Sequence, residues 1–230
     1  ATRSSGQQSL YYGRIEDLFA GGRMITPAGS LKMPPFPASA AGPDLRQAVL
    51  GSEGRLGIIT SAFVRVSPVP QLERFHGIFF PSFGQGAVAV KEMVQSRLQL
   101  SMLRLSDSLE TNTSLVLTGN ERMIRLLNGL LRVRGLKDRD EKCMLFLGIT
   151  RARGLARKTR RIALDIAREH GGVHVGRKMG SEWRKSRFKT PYLRNTLWDC
   201  GYAVETLETA LTWADLPSAI EAILKALRTG

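Results

Sequence analysis

The residues of this chain whose types and spacing best suit chemistry are three glycines around one acid. Gly51, Gly54 and Gly57 stand with Glu53 in the run GPDLRQAVLGSEGRLGIIT (Gly42 to Thr60), which then becomes β-branched. A glycine has no Cβ to hold a ligand off the main chain, and it accepts the positive φ angles of a tight loop. Exposed N–H groups in such a loop suit an anionic ligand such as a pyrophosphate. The same spacing also serves plain turn chemistry ahead of a strand, so the loop alone leaves both readings open. A second group lies in the first thirteen residues, ATRSSGQQSLYYG. There Thr2, Ser4 and Ser5, followed by Gly6, offer hydroxyl and backbone donors to a phosphate or a ring edge. Tyr11, Tyr12 and Gly13 can close that turn, although a segment of this composition also reads as a flexible end. His170 and His174 are separated by Gly171 and Gly172, which break any helix that would align the two imidazoles, so no metal site is expected. Cys143 and Cys200 form no CxxC and fit small core or surface thiols in a reduced, intracellular setting.

The glycine run, the first thirteen residues and IEDL (Ile15 to Leu18) together resemble the FAD-linked oxidases of the vanillyl-alcohol oxidase superfamily, whose flavin domain is of the PCMH type. The likeness continues through FPSFGQGAVAVKEM (Phe80 to Met93), SMLRLSD (Ser101 to Asp107), Gly171 and Gly172, PYLRN (Pro191 to Asn195) and ETLETALTW (Glu205 to Trp213). It is nearest to the alkylglycerone-phosphate synthase branch and its bacterial relatives. The resemblance implies FAD as cofactor, contacted by Thr2, Arg3, Ser4 and Ser5 and by Glu53, Gly54, Arg55, Leu56, Gly57, Ile58 and Ile59. Arg55 departs from the small residue, often threonine, of many relatives; a long cation is compatible with flavin phosphates.

Arg104 in SMLRLSD and Arg194 in PYLRN also match functional positions of the resembling synthases. The resemblance makes Arg194 a substrate phosphate contact and Arg104 a residue that orders the site. A guanidinium suits this work because its planar fork makes two parallel hydrogen bonds to a phosphate or carboxylate and stays charged at any working pH. Members of the superfamily carry an earlier glycine-rich segment around the flavin diphosphate and a later catalytic tyrosine with a histidine cluster, neither of which matches within these 230 residues. The chain is therefore expected to be an internal fragment of a larger flavoprotein, inactive by itself. The function implied is that of an FAD-dependent oxidoreductase or transferase acting on a small phosphate- or carboxylate-bearing substrate at the flavin N5. The alternative is an FAD-dependent 2-hydroxy acid dehydrogenase, in which the same fork binds a carboxylate. A reading of a different class is a non-catalytic basic module that binds nucleic acid or an anionic surface.

Composition bears on that last reading. The 34 Lys+Arg against 20 Asp+Glu give a formal charge of +14. In RARGLARKTRRIALDIAREH, Leu155, Ile162, Ala163 and Ile166 recur at helical spacing, so the arginines read as the solvated face of an amphipathic helix. A second cluster, from Arg177 to Lys189, lies beside Trp183 and Phe188 just before Arg194. It reads as an ordinary charged face, or as a patch that steers an anionic substrate or rests on an acidic membrane surface. No RNP-like aromatic signature, zinc spacing or KH-type GxxG accompanies the charge, so no nucleic-acid partner is expected. The partner expected is a small anionic substrate, with peripheral membrane contact and a homodimer left open, in a cytoplasmic or membrane-peripheral location. No apolar run approaches the ~18 residues that cross a bilayer.

These side chains must be held by a scaffold of two kinds. Residues 13–66 read as an antiparallel hairpin (RIEDLFAGGRMITP with AGSLKM), a proline-rich loop, a short helix from Pro43 to Leu50 and a strand in LGIITSAFVRV. SPVPQ (Ser67 to Gln71) is the boundary, because two prolines stop the strand and stiffen the connection. Beyond it strands alternate with helices: LERFHGIFF, FGQGAVAVKEMVQSRL, SMLRLS, ERMIRLLNGLLRVR, KCMLFLGIT, the basic helix from Arg153 to His170 stopped by two glycines, GVHVG, a strand in CGYAVETLE, and a last helix in LPSAIEAILKALR. The expected fold class is α+β. Residues 1–70 would be the C-terminal portion of a PCMH-type FAD-binding domain, and residues 71–230 a ferredoxin-like substrate or cap domain, incomplete at its C-terminus.

Overall fold

The computed structural model describes residues 2–3, 5–117, 121–137, 141–188 and 192–229. The chain divides into two units. The first comprises Ala1–Glu73, Gln99–Arg104 and Leu147–Arg160, the second Arg74–Leu98, Leu105–Phe146 and Arg161–Gly230.

The first unit is built on a three-stranded antiparallel sheet of order β2-β1-β3, from β1 (Phe19–Thr26), β2 (Gly29–Met33) and β3 (Ile58–Val64). Thr26 pairs with Gly29, which leaves Pro27 and Ala28 to turn the hairpin. The Thr26 hydroxyl fastens that turn by donating to the Gly29 carbonyl at 2.9 Å. Two short helical turns, α1 (Ser9–Tyr12) and α2 (Ile15–Leu18), precede the sheet. The segment expected to open the hairpin, IEDL, is thus helical, because Asp17 folds back to accept the Arg14 backbone N–H at 2.9 Å.

Helix α3 (Leu45–Val49) lies within the stretch expected for it and starts where Asp44 accepts the Arg46 N–H at 3.0 Å, the bond that an N-cap supplies. The Arg46 guanidinium forks back onto both Asp44 carboxylate oxygens at 2.8 and 2.9 Å and also reaches the Ala20 carbonyl at 3.2 Å. That fork holds the Asp44 carboxyl below its ordinary range. Val49 and Leu50 then join Phe19, Met24 and Met33 in a small core, with Ile15, Leu31 and Ile59 packed on it. Burying each large apolar side chain contributes about 1.5–3 kcal/mol, so these few residues tie α3 to the sheet.

A second sheet has the order β5-β6-β4-β7, from β4 (Leu72–Phe80), β5 (Met102–Ser106), β6 (Cys143–Arg151) and β7 (Val173–Gly176). β4 and β7 pair antiparallel. β4 and β6 are the inner strands, which explains their nearly unbroken apolar runs: all of β6 but Arg151 is buried. Helix α4 (Phe83–Gln95) follows β4 and is capped by Ser82, whose hydroxyl accepts the Gln85 N–H. Two helices, α5 (Ser108–Leu117) and α6 (Glu121–Val133), lie between β5 and β6, and α7 (Arg153–Glu169) between β6 and β7. The buried residues of α7 are Ala156, Thr159, Ala163, Ile166 and Ala167, while Leu155 is 53% exposed. The amphipathic helix expected from the arginine-rich run is present: Ala163 and Ile166 are buried and Ile162 half-buried as expected, while in the first turns Ala156 and Thr159 are buried in place of Leu155. It ends at Gly171 and Gly172, whose N–H groups donate to the Arg168 and Ala167 carbonyls.

The chain continues through α8 (Lys178–Ser186), α9 (Leu193–Asp199) and α10 (Leu216–Thr229). The strand expected in CGYAVETLE is absent: Gly201, with φ +84°, and Tyr202 cap α9 by donating to the Trp198 and Leu197 carbonyls, and residues 203–212 have no regular structure. No described helix is long and apolar enough to cross a membrane.

Candidate functional site

The three glycines of the opening loop do three different things. Ser52 to Arg55 form a tight turn closed by the Arg55 N–H on the Ser52 carbonyl at 2.8 Å, with φ +49° at Glu53 and +86° at Gly54. Two consecutive positive φ angles are the signature of a type I′ turn, which favours glycine at its second central position. A Cβ on Gly54 would meet nothing within 4 Å, so the space beside it is open. Glu53 and Gly54 are exposed, and among the described residues neither N–H is bonded. Gly57, in contrast, is a packing glycine: a Cβ there would run into the Ile25 carbonyl of the neighbouring strand. At Gly51 the absent Cβ leaves room for a side chain, since Arg3 Cγ and Nε would lie 3.2 Å from that atom. Of the three, Gly54 is the one with open space on its Cβ side.

Arg3 brings the first segment to this loop. Its Nε donates to the Leu50 carbonyl at 3.1 Å and its terminal nitrogen donates to the Gln47 carbonyl, both at the carboxyl end of α3. Thr2 and Ser5 are exposed, and Ser4 lies outside the described residues. Arg55, Leu56 and Ile58 are exposed, while Ile59 is half-buried against the core of the first unit. The two segments expected to contact the cofactor are therefore joined through one side chain and two backbone carbonyls.

The two expected substrate arginines are placed differently. Arg104 is half-buried on β5, and Arg194 is exposed on α9. Among the described residues Arg194 makes no hydrogen bond or ion pair, so its donors are uncommitted. Pro191, which opens the PYLRN motif, lies outside the described residues. Of the preceding basic cluster, Arg177, Lys178, Arg184 and Lys185 are exposed on or beside α8, and Lys189 lies outside the described residues. Arg187 is partly covered, stacked 5.5 Å from the Trp183 ring and 4.6 Å from the Phe188 ring. Trp183 itself packs edge-on against Phe75 at 5.0 Å. The aromatic residues that interleave this basic patch thus serve as the hydrophobic foot and lid of one guanidinium.

The sequence reading missed a histidine pair. His76 on β4 is buried, and its Nδ1 lies 3.0 Å from Nε2 of His174 on β7, ninety-eight residues away. His170 pairs separately with Glu92, Nε2 to Oε2 at 2.7 Å. A β4 to β7 pairing could have been guessed from the alternation of strands and helices, but which residues face each other is fixed only by the register, and that register shifts between Gly77 and Ile78. Among the described residues no group of three or more His, Cys, Asp or Glu side chains could hold a metal ion.

Comparison with known proteins fits this architecture. Over 221 residues the chain is 31% identical to alkyldihydroxyacetonephosphate synthase of Dictyostelium discoideum, covering 94% of this chain and 36% of that protein. It is 27% identical over 202 residues to the mitochondrial D-lactate dehydrogenase [cytochrome] of Arabidopsis thaliana, covering 87% of this chain and 32% of that protein. A solved structure of alkyldihydroxyacetonephosphate synthase superposes with a TM-score of 0.80 at 30% identity, covering 99% of this chain and 44% of that one. The chain thus spans little more than a third of the length of the curated relatives it matches. Residues 69–230 match the family described as FAD linked oxidases, C-terminal domain. The chain belongs to that family, and the cofactor is FAD. The bare Glu53–Gly54 turn, with open space at Gly54 and unbonded N–H groups, fits a polar, anionic cofactor edge.

Proposed function

We propose that this chain is part of an FAD-dependent enzyme related to alkylglycerone-phosphate synthase, acting on a small phosphate-bearing substrate. The observation that carries the reading is the Ser52–Arg55 turn, whose exposed N–H groups sit in a chain that is 30% identical and structurally similar to a solved synthase over nearly its whole length. Residues 1–70 would complete a PCMH-type FAD-binding domain and residues 71–230 would form the cap. The strand order β5-β6-β4-β7, with helices between successive strands, supports a ferredoxin-like reading of that cap.

Within this reading Glu53 and Gly54 present backbone donors to the cofactor, and Thr2 and Ser5 add hydroxyls beside them. Bound FAD supplies the electron-accepting flavin ring and its reactive N5. Arg194, exposed and uncommitted among the described residues, binds the substrate phosphate through its fork, and Arg104 holds the site in order. The cations of α8 raise the local concentration of an anionic substrate and give the enzyme a face for peripheral membrane contact in a cytoplasmic setting. A second reading, oxidation of a 2-hydroxy acid, is favoured by the likeness to the Arabidopsis D-lactate dehydrogenase; Arg194 would then bind a carboxylate.

The test is reconstitution of the full-length protein with FAD, followed by titration with acylated dihydroxyacetone phosphate and, separately, with 2-hydroxy acids. The expected result is a yellow protein whose flavin absorbance responds to the phosphate ester. Bleaching by 2-hydroxy acids alone selects the second reading, and a protein that stays colourless defeats both. An Arg194→Lys variant is expected to weaken substrate affinity at least ~10-fold, because lysine cannot reproduce the bidentate fork.

A further inference from the structure

We propose that Arg3 is a positioning residue of the flavin site, holding the Glu53–Gly54 turn in place rather than binding the flavin diphosphate itself. This rests on the assignment of that turn to FAD made above. The geometry speaks against the simplest role for an arginine beside an anionic cofactor, which is direct charge pairing. Two of the five Arg3 N–H donors are already held by the protein, which fixes the plane of the guanidinium against the end of α3: Nε donates to the Leu50 carbonyl at 3.1 Å and a terminal nitrogen to the Gln47 carbonyl. Those carbonyls belong to the last turn of α3, whose orphan acceptors and partial negative charge favour a cation there.

What Arg3 fixes is the take-off point of the loop. Leu50 is the last core residue before the turn, buried at 3% exposure with Val49. The chain then passes through Gly51, where the Arg3 stem occupies the space that a Cβ would fill, with Cγ at 3.2 Å and Cδ at 3.3 Å. The Ser52 N–H returns to the Val49 carbonyl at 3.2 Å, and the turn that displays Glu53 and Gly54 begins there. Glu53 sits at φ +49°, a conformation that costs a non-glycine residue energy and persists only where its surroundings impose it. The Arg3 side chain reaches from the first segment to the base of the loop, so it couples the Thr2–Ser5 part of the site to the turn.

The experiment uses the full-length protein as wild type, Arg3→Ala and Arg3→Lys. Amide hydrogen exchange is followed in the FAD-free protein, and FAD affinity is measured by flavin fluorescence quenching at several salt concentrations. Exchange in β6 serves as the internal check that the fold is intact. In both variants the Ser52 and Arg55 amides of the FAD-free protein, which are bonded to the Val49 and Ser52 carbonyls, are expected to exchange about 10-fold faster while β6 is unchanged, since only a local opening is released. FAD affinity is expected to fall by a similar factor in both variants, with the salt dependence of wild type. Lysine keeps the charge but cannot serve two carbonyls in one plane, so the two variants should behave alike. Weakened FAD binding in Arg3→Ala with unchanged exchange, together with retained affinity in Arg3→Lys, would make Arg3 a direct phosphate ligand and overturn the proposal. Unchanged exchange and unchanged affinity in both variants overturn it as well. A wild-type protein that binds no FAD, with exchange still faster in the variants, removes the flavin assignment and leaves Arg3 as an anchor of the fold alone.

Discussion

At the scale of single residues, burial decides which groups can react. Cys143 is buried at the start of β6, its thiol donates to the Glu141 carbonyl at 3.2 Å, and its pKa is pushed up to about 12 by burial, with the Asp107 and Glu141 carboxylates adding to the effect. Cys200 is exposed at the end of α9. Since the thiolate is the nucleophile, native protein at pH 8 is expected to release one equivalent of thionitrobenzoate from Ellman's reagent rapidly, and the second only after unfolding in guanidinium. Two fast equivalents would show that Cys143 is accessible. The sign of the pH effect follows: the folded state keeps the Cys143 proton more tightly than the unfolded one, so stability is full below the ordinary thiol value of 9.0 and declines as pH rises towards 12. The sequence made the glycine loop legible but not the division of labour within it. Gly54 and Gly51 are both required by positive φ angles, at the turn and just past the end of α3, but that Gly51 also makes room for Arg3 and that Gly57 lies against the Ile25 carbonyl are contacts that no local pattern encodes. The His76–His174 pair was hidden for the same reason.

At the scale of elements, periodicity located most strands and helices, and the misses have physical causes. Alternating apolar residues after Cys200 read as a strand, but strand propensity is realised only beside a partner, and Gly201 is used to end α9 instead. Helix α5 was not anticipated because SLETNTSLVL is rich in residues that compete for backbone hydrogen bonds; Asp107 starts it by accepting the Glu110 N–H at 2.7 Å. Helix α8 shows how an element is seated. Gly180 lies against β4, and a Cβ on it would come within 2.7 Å of Phe75 Cβ as well as crowd the Phe75 main chain. Gly129, in the middle of α6, has nothing within 4 Å of the same position. The two substitutions should therefore act in opposite directions. Gly180→Ala forces α8 off the strand and is expected to destabilise by about 1–3 kcal/mol, the usual cost of overpacking. Gly129→Ala is expected to stabilise by up to about 1 kcal/mol through helix propensity alone. Urea midpoints at constant slope measure both; a destabilising Gly129→Ala, or a neutral Gly180→Ala, would contradict the packing described.

At the scale of the whole molecule, burial is unevenly distributed along the chain, and stability should follow it. The inner strands β4 and β6 carry most of the fully buried large side chains, among them Phe75, Phe79, Phe80, Met144, Leu145 and Leu147. Helices α9 and α10 bury no residue, and large apolar side chains there and between them stay open: Trp198 is 64% exposed, Leu227 62% and Leu207, in the irregular segment between the helices, 73%. Opening such elements exposes little new apolar surface, so it costs far less than opening the sheet. In the 230-residue chain, trypsin is expected to cut first at Arg194, Lys225 and Arg228, with the bonds after Arg74 and Arg151 surviving longest. Mass spectrometry of a time course reads the order directly. The synthase relatives are more than twice as long, and large apolar side chains left this open are suited to being covered by further chain. In the full-length protein the cuts after Arg194 and Lys225 are accordingly expected to slow at least ~10-fold, because covering the segment raises its opening free energy. Equal rates in both proteins would mean that the segment from α9 to α10, Arg194 included, is just as open in the longer chain, where it is then held by little packing of its own.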